Sequence, residues 1–549
     1  MLACNFARAP ARVKPHTTTP AEPLATRDQL TRRATATRID RWGVRTGCGT
    51  VRNRVCGSLG SCDVIRGIAL VVAAFALLSG AGPAGAALCF VDGNAAGGSG
   101  GSWNDAYKDL QSALANVGCS EIWVAKFVYR PSTSNVSVSF NIRPGAAVYG
   151  GFAGTEAQRE QRSPAANLTV LSGDIDGNDC GGSGCANGVD TAVAQIAGGN
   201  SRHVVVMDGT GTSPVSASTV LDGFTITAGD AVADSGGGLY CHGEGAGKAC
   251  SPMLAHLVFS GNRAANIGGA LFNLAEPGGV SSPQLSDVTF RGNAALQFGG
   301  AIYNDGAAGG TSSPVLANVT FEGNNASLWG GAMFNDGNAG TSSPTLSNVT
   351  FSDNYANAGG AIYNEGSGGA SSPTLTNVTF SGNGAQQQGG AMFNDGQSAG
   401  VASPALTNVT FNGNSAGTYG GAISSYGLGG SSSPTLTNAI LWGDSASSGA
   451  PEVIGDASIA WSIVQGGCPS GVSCSKLVAG DPRLGPLRNN GGGTATLLPG
   501  SGSAAIDAGD DANCPATDQR GIARPQGAHC DVGAVESDRI FAADFEATP

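Results

Sequence analysis

Charge is scarce in this sequence: 12% of its 549 residues are Asp, Glu, Lys or Arg, and 6% are aromatic. Long solvated helices laced with ion pairs are excluded on that ground. Histidine is nearly missing, with five in the chain, and no Cys-x-x-Cys pair occurs, so a structural zinc site is not expected. Long apolar runs are also lacking. Outside Gly67 to Gly80, none approaches the roughly 20 residues that a membrane helix needs. No Lys, Arg or His occurs between Arg291 and Lys476. Glycine is plentiful at 88 residues, yet there are no G-X-Y triplet runs, which excludes collagen.

The net charge of −12 is unevenly spread. The segment up to Arg66 holds 12 basic and 4 acidic residues, leaving 16 basic against 36 acidic beyond it, a body near −20. Such a surface repels phosphate backbones, so nucleic acid is not an expected partner. Arg66, the apolar stretch Gly67 to Gly80 and then Ala84-Gly85-Ala86 read as a secretory signal with a small-residue cleavage site, a retained anchor being the alternative. The Arg- and Thr-rich leader ahead of it has no apolar periodicity and reads as disordered, or as lying upstream of a true start near Val64.

Ten cysteines follow the cleavage site in sequence-near pairs: Cys89 with Cys119, Cys180 with Cys185, Cys241 with Cys250, Cys468 with Cys474, and Cys514 with Cys530. An even count and an oxidising destination favour disulfides.

The strongest signal is internal repetition. Ser-Pro pairs recur at Pro252, Pro283, Pro314, Pro344, Pro373, Pro404 and Pro434, a period of about 30 residues. Each unit resembles Ser372 to Val401: SPTLTNVTF, SGN, a variable loop, GGAMFND and a Gly/Ser loop. Leu375, Val378 and Phe380 alternate with threonines as in a strand, and the odd step after Leu375 requires a bend at Asn377. A unit this small cannot bury its own apolar face, so units must stack. β-Propeller blades need about 40 residues, and leucine-rich repeats need several leucines per unit. The expected fold is all-β: a single-stranded right-handed parallel β-helix, with a short N-terminal capping helix and a loop-rich C-terminal cap.

Stacking places asparagines in columns. One holds Asn318, Asn348, Asn377, Asn408 and Asn438, a second Asn262, Asn293, Asn324, Asn354, Asn383 and Asn414, and a third Asn273, Asn304, Asn335, Asn364 and Asn394. Buried amides bond along such a ladder. Asn318, Asn348, Asn377 and Asn408 of the first column also fall in N-V-T sequons, but a bend followed by strand residues explains that pattern.

The pattern Phe-x-x-Asn (Phe290 to Asn293, Phe321 to Asn324, Phe351 to Asn354, Phe380 to Asn383, Phe411 to Asn414), followed by Gly-Gly-Ala-[Ile/Met/Leu], resembles the repeat of chlamydial polymorphic outer-membrane proteins over roughly residues 251 to 445. That resemblance implies a surface-displayed, adhesin-like β-helix. Those proteins carry an autotransporter barrel, for which the 13 residues after Glu536 are too few. Trp103 to Gly154 resembles the entry cap of secreted bacterial β-helix proteins, with Ala106, Leu110, Ala113 and Leu114 on one helical face. Asp481 to Glu536 resembles a closing region of choice-of-anchor type.

Candidate chemistry is sparse. Asp305, Asp336, Glu365 and Asp395 form an acidic column, read as solvated turn acids ahead of a calcium stack or a catalytic pair, because a catalytic pair is singular and this feature recurs. Lyase chemistry lacks a base on the regular coils. Asp174, Asp176 and Asn178 place oxygens as in a calcium loop without its twelfth-position glutamate, and read either as an ordinary polar turn or as a calcium site. No cofactor is required otherwise. Phe272, Tyr303, Phe334, Tyr363 and Phe393 read as core, whereas Phe298, Trp329 and Tyr419 are candidates for an exposed binding surface. Asp518, Arg520, Arg524 and Asp531 read as a closing salt-bridge cluster.

The expected organisation is a leader at 1–65, a signal peptide at 66–86, an N-terminal cap and first coils at 87–200, β-helix repeats at 201–465, a closing segment at 466–536 and a tail at 537–549. The favoured function is a monomeric, exported protein at the outer-membrane surface of a Gram-negative bacterium or outside the cell. It would bind a cell-surface glycan or protein. The alternative is a polysaccharide-active lyase or glycoside hydrolase.

Overall fold

The computed structural model describes residues 87–182 and 185–537. The leader, the signal peptide and all but the first residue of the tail lie outside the described residues. Within them no helix is long and apolar enough to cross a membrane.

The chain winds into a parallel β-solenoid of about 12 turns. Its walls are sheets of 21, 8 and 10 strands. Successive coils pair in strict register: Leu316, Leu346, Leu375, Leu406 and Leu436 lie over one another. The repeat prolines mark the rungs, because each carbonyl accepts from the next coil, as in Thr345 N to Pro314 O and Thr374 N to Pro344 O, both 3.0 Å.

The core follows from the alternation. Phe259, Phe290, Phe321, Phe351, Phe380 and Phe411 are fully buried and stack with ring centroids 4.7–4.9 Å apart. That distance is the strand spacing itself, so the period fixes the stack. The bend between Leu375 and Val378 is where the sequence puts it: Asn377 has φ +53°. The Gly-Gly pair answers two separate demands. Gly389 has φ +65°, and a Cβ on Gly390 would stand 2.1 Å from the Gly421 carbonyl.

At the entry end, helix Leu110–Ala115 buries Leu110, Ala113 and Leu114, with Asp109 capping Ser112 N at 2.8 Å. Ala106 is buried just ahead of it.

The ten cysteines form five disulfides, each between the partners that the sequence sets close together. Cys89 is bonded to Cys119, Cys180 to Cys185, Cys241 to Cys250, Cys468 to Cys474, and Cys514 to Cys530. The first ties adjacent coils, since the strand holding Cys89 pairs with the one holding Cys119. Cys119, Cys241, Cys250 and Cys530 are fully buried, whereas Cys474 is half-buried on the short terminal coil.

The closing segment does more than cover the last coil. After the short terminal coil ending at Ser473–Ser475, it runs back along the flank of the solenoid. Thr350 donates to Ala495 O (2.6 Å), Thr379 meets Gln519 (2.7 Å), Asn408 donates to Asp531 O and Gly533 O (3.0 Å each), and Asn438 accepts from Asp510 N (2.8 Å). Ile440, Ile463, Ala505 and Val532 form a small second core beneath it. Its ionic cluster joins the expected residues and adds Glu536. Asp518 binds Arg520 at 2.8 Å, and buried Arg524 pairs with Glu536 at 2.9 Å. Asp531 receives backbone amides from Asp507 and Ser537.

Candidate functional site

The second asparagine column is a continuous buried ladder. Each Nδ2 donates to the Oδ1 of the next coil, as from Asn293 to Asn324, Asn324 to Asn354 and Asn354 to Asn383, all 2.9 Å. A second Nδ2 bond reaches a phenylalanine carbonyl one coil back, at 3.0 Å from Asn354 to Phe321. The third column bonds likewise at 2.8 Å from Asn273 to Asn394. Amide follows amide from coil to coil, with Asn273 Oδ1 left without a donor at the first rung and Asp444 and Ser425 receiving the last amides, so both ladders are architecture.

The first column differs. Asn318, Asn348, Asn377, Asn408 and Asn438 all have φ between +52° and +56°, and His256 and Asp287 hold the same bend in earlier coils. Asn377 and Asn408 are buried, and their amides donate to Thr517 O and Asp531 O of the returning segment. Those two sequon amides are therefore already engaged.

The aromatic residues of the third sheet face outward and form a cluster separate from the main core. Phe272, Tyr303, Phe334 and Tyr363 are 2–7% exposed, and Phe393 packs beside them. Phe298 and Trp329 join this strip, stacked on each other at 4.8 Å, with Trp329 5.1 Å from Tyr363. They are half-buried, so they are ring-face partners of the strip and not free platforms. Tyr419 stands apart and is 39% exposed, because Ala358 and Gln388 occupy the intervening rungs.

The acidic column lies beside this strip and is not solvated. Asp305 and Asp395 are 5% and 6% exposed, and Asp336 and Glu365 are half-buried. Tyr303 donates to Asp336 (2.5 Å) and Tyr363 to Asp395 (3.2 Å). Burial, then the charges of Glu276 and Asp336, pushes Asp305 up to about 8. Burial likewise raises Asp336 and Glu365. The solvated-turn reading fails because these acids are the last residues of strands in the third sheet and are withdrawn from solvent.

The calcium-loop candidate is largely bonded within its own turn, while Asn178 Oδ1 is buried without a hydrogen-bond partner. Asp174 Oδ1 accepts from Gly177 N (2.8 Å) and Asn178 N (3.2 Å), and Asp176 Oδ2 accepts from Asn178 Nδ2 and Gly199 N (3.0 Å each). These lone pairs meet N–H donors, which is how a polar turn uses them. Behind it, buried Asp179 and Asp190 face each other. Burial and the charge of Asp179 push Asp190 up to about 7. The grouping with metal-ligand spacing among the described residues is Cys180, Cys185 and Asp190, but its two sulfurs are bonded to each other and offer no thiolate.

Comparison with protein families bears directly on the repeats. A profile of the Chlamydia polymorphic membrane protein repeat matches residues 256–274, 287–305, 348–365 and 408–426. Four segments of the chain are similar to that repeat. Among solved structures, a pectate lyase, Pel9A, aligns over 83% of this chain and 98% of its own, with 13% identity and a TM-score of 0.42. No curated protein matches the sequence.

Next to the segments similar to the polymorphic membrane protein repeat, the first coils hold a polar group that sequence reasoning missed. Arg162 Nη2 binds Asp222 Oδ2 (2.7 Å), and His256 Nδ1 binds Asp222 Oδ1 (3.0 Å). Arg159 reaches the Tyr149 hydroxyl (3.1 Å) and lies 4.7 Å over its ring. Tyr149, Arg159 and Arg162 are near in sequence, but Asp222 and His256 are not, and the register of Tyr149 on Asp222 brings them in. A second missed pair is Asp444 and Glu452, both buried, at the foot of the asparagine ladder. The readable signal was the break in two columns, Asn to Asp and Ala to Glu.

Proposed function

We propose that the chain is exported to the cell surface, in association with the outer membrane, and binds a glycan or protein partner there as a monomer without performing chemistry. The observation that carries this reading is the uniformity of the repeat face. The aromatic and acidic columns of the third sheet recur from coil to coil, and no Lys, Arg or His stands between Arg291 and Lys476 to supply a singular acid–base pair. Uniform columns suit many weak contacts spread along an extended solenoid. The name of the repeat supports a membrane or surface setting.

Binding to a glycan array and to whole cells tests the reading. Saturable binding is expected, weakened about tenfold by Tyr419→Ala, which removes the exposed ring among the candidate binding residues.

A second reading, a polysaccharide-active enzyme, draws on the non-repeating group of Arg162, Asp222 and His256. Both Asp222 oxygens are engaged there, which leaves His256, 52% exposed in its side chain, as the member of the group open to a ligand. Incubation with a polysaccharide panel, with and without calcium, separates the two readings. Turnover abolished by His256→Ala would establish the enzyme and overturn the binding protein.

A further inference from the structure

The last wide coil breaks two columns at once. Where earlier coils carry the ladder asparagine it has Asp444, and where they carry the alanine of Gly-Gly-Ala it has Glu452, to whose carbonyl Ala422 N donates. Both side chains turn inward and are 6% and 3% exposed.

Asp444 Oδ1 is filled, accepting from Asn414 N (2.7 Å) and Nδ2 (2.8 Å). Asp444 Oδ2 and both Glu452 oxygens are buried without a hydrogen-bond partner among the described residues; the Trp442 amide also acts on the Asp444 carboxylate, and the two carboxyls act on each other. No Lys, Arg or His occurs between Arg291 and Lys476 to neutralise them, and Lys476 lies over the Trp461 ring at 4.1 Å. The other titratable groups on the packed coils are turned elsewhere. Asp395 is bound by Tyr363 and Gln397, and Tyr419, Tyr426 and Asp456 are exposed.

Two carboxylates this close in a dry site cannot both stay ionised. A calcium ion asks for six or more oxygens, and three are free here; a shared proton asks for two.

We propose that Asp444 and Glu452 form a one-proton lock that holds residues 444–454 onto the solenoid and releases them when the proton is lost. In the closed state the Glu452 carboxyl O–H donates to Asp444 Oδ2. In alkaline solution hydroxide takes that proton to form water, and two facing carboxylates are left to repel each other. The coil then parts from residues 414–426 above it.

Amide hydrogen exchange of the whole chain, corrected for the intrinsic pH dependence of exchange, tests the lock. Protection across 444–454 is expected to fall about tenfold or more between pH 6.5 and 9.5, with the Phe351 and Phe380 coils unchanged. Glu452→Gln keeps a donor to Asp444 but cannot lose it, and should flatten the profile. The double variant Asp444→Asn with Glu452→Ala restores the repeat pattern, should also be flat, and serves if Glu452→Gln does not fold. A flat wild-type profile, or a pH dependence that survives in these variants, overturns the lock. So does full protection at pH 9.5 on adding calcium chloride, which would make the occupant a cation.

Discussion

A single carboxyl shows how this solenoid handles polarity. Asp305 is held up to about 8 from an ordinary 3.8, so the folded state binds its proton more tightly than the unfolded chain does. Its contribution to stability is therefore whole below about pH 4 and is lost as pH climbs through 8. Asp305→Asn should remove that loss, so the drop in Tm between pH 5 and pH 8.5 becomes smaller in the variant, as calorimetry would show. A drop that stays the same would mean that the acidic column is wetter than its burial indicates. The sequence showed that these acids line up but not that they are buried. Two of them are bound by tyrosines one coil away, Asp336 by Tyr303 and Asp395 by Tyr363, and spacing along one coil does not reveal it.

At the scale of the coil, most of the architecture was legible because one period served both the strand and the stack. The Ser-Pro rungs, the bend at Asn377 and the phenylalanine column all lie where a 30-residue repeat requires. The Gly-Gly pairs make that reading testable. A Cβ on Gly360 would stand 2.2 Å from Gly390 O, whereas one on Gly323, at φ +61°, would meet nothing within 4 Å. Gly360→Ala should force two coils apart and cost roughly 2–4 kcal/mol, against about 1 kcal/mol for Gly323→Ala. Urea unfolding midpoints would compare them, and equal losses would refute the close-packing account. The polar group on Asp222 was not legible, because His256 and Arg162 meet it from 34 and 60 residues away.

For the whole molecule, the returning segment is the feature that repetition could not foretell. It repeats nothing, and its contacts join residues up to 170 apart. Its anchor is the buried pair of Arg524 and Glu536, 0% and 1% exposed in their side chains. Glu536→Ala should take away the carboxylate that Arg524 pairs with directly and cost roughly 3–5 kcal/mol. It should also open 489–536 to limited proteolysis while the repeat coils stay resistant. Uniform digestion of the chain would instead make the segment and the coils one folding unit.

A stack of coils touching nearest neighbours alone would fray rung by rung from whichever end loosened first. Gln519 bonds at once to Thr350, Thr379 and Thr494, and so ties together levels that the ladder keeps separate. Pulled from its last residues, the molecule must peel this lashing before any rung can yield. Resistance to stretching is thus set by a seam on the outside, and the columns within bear load after it has gone.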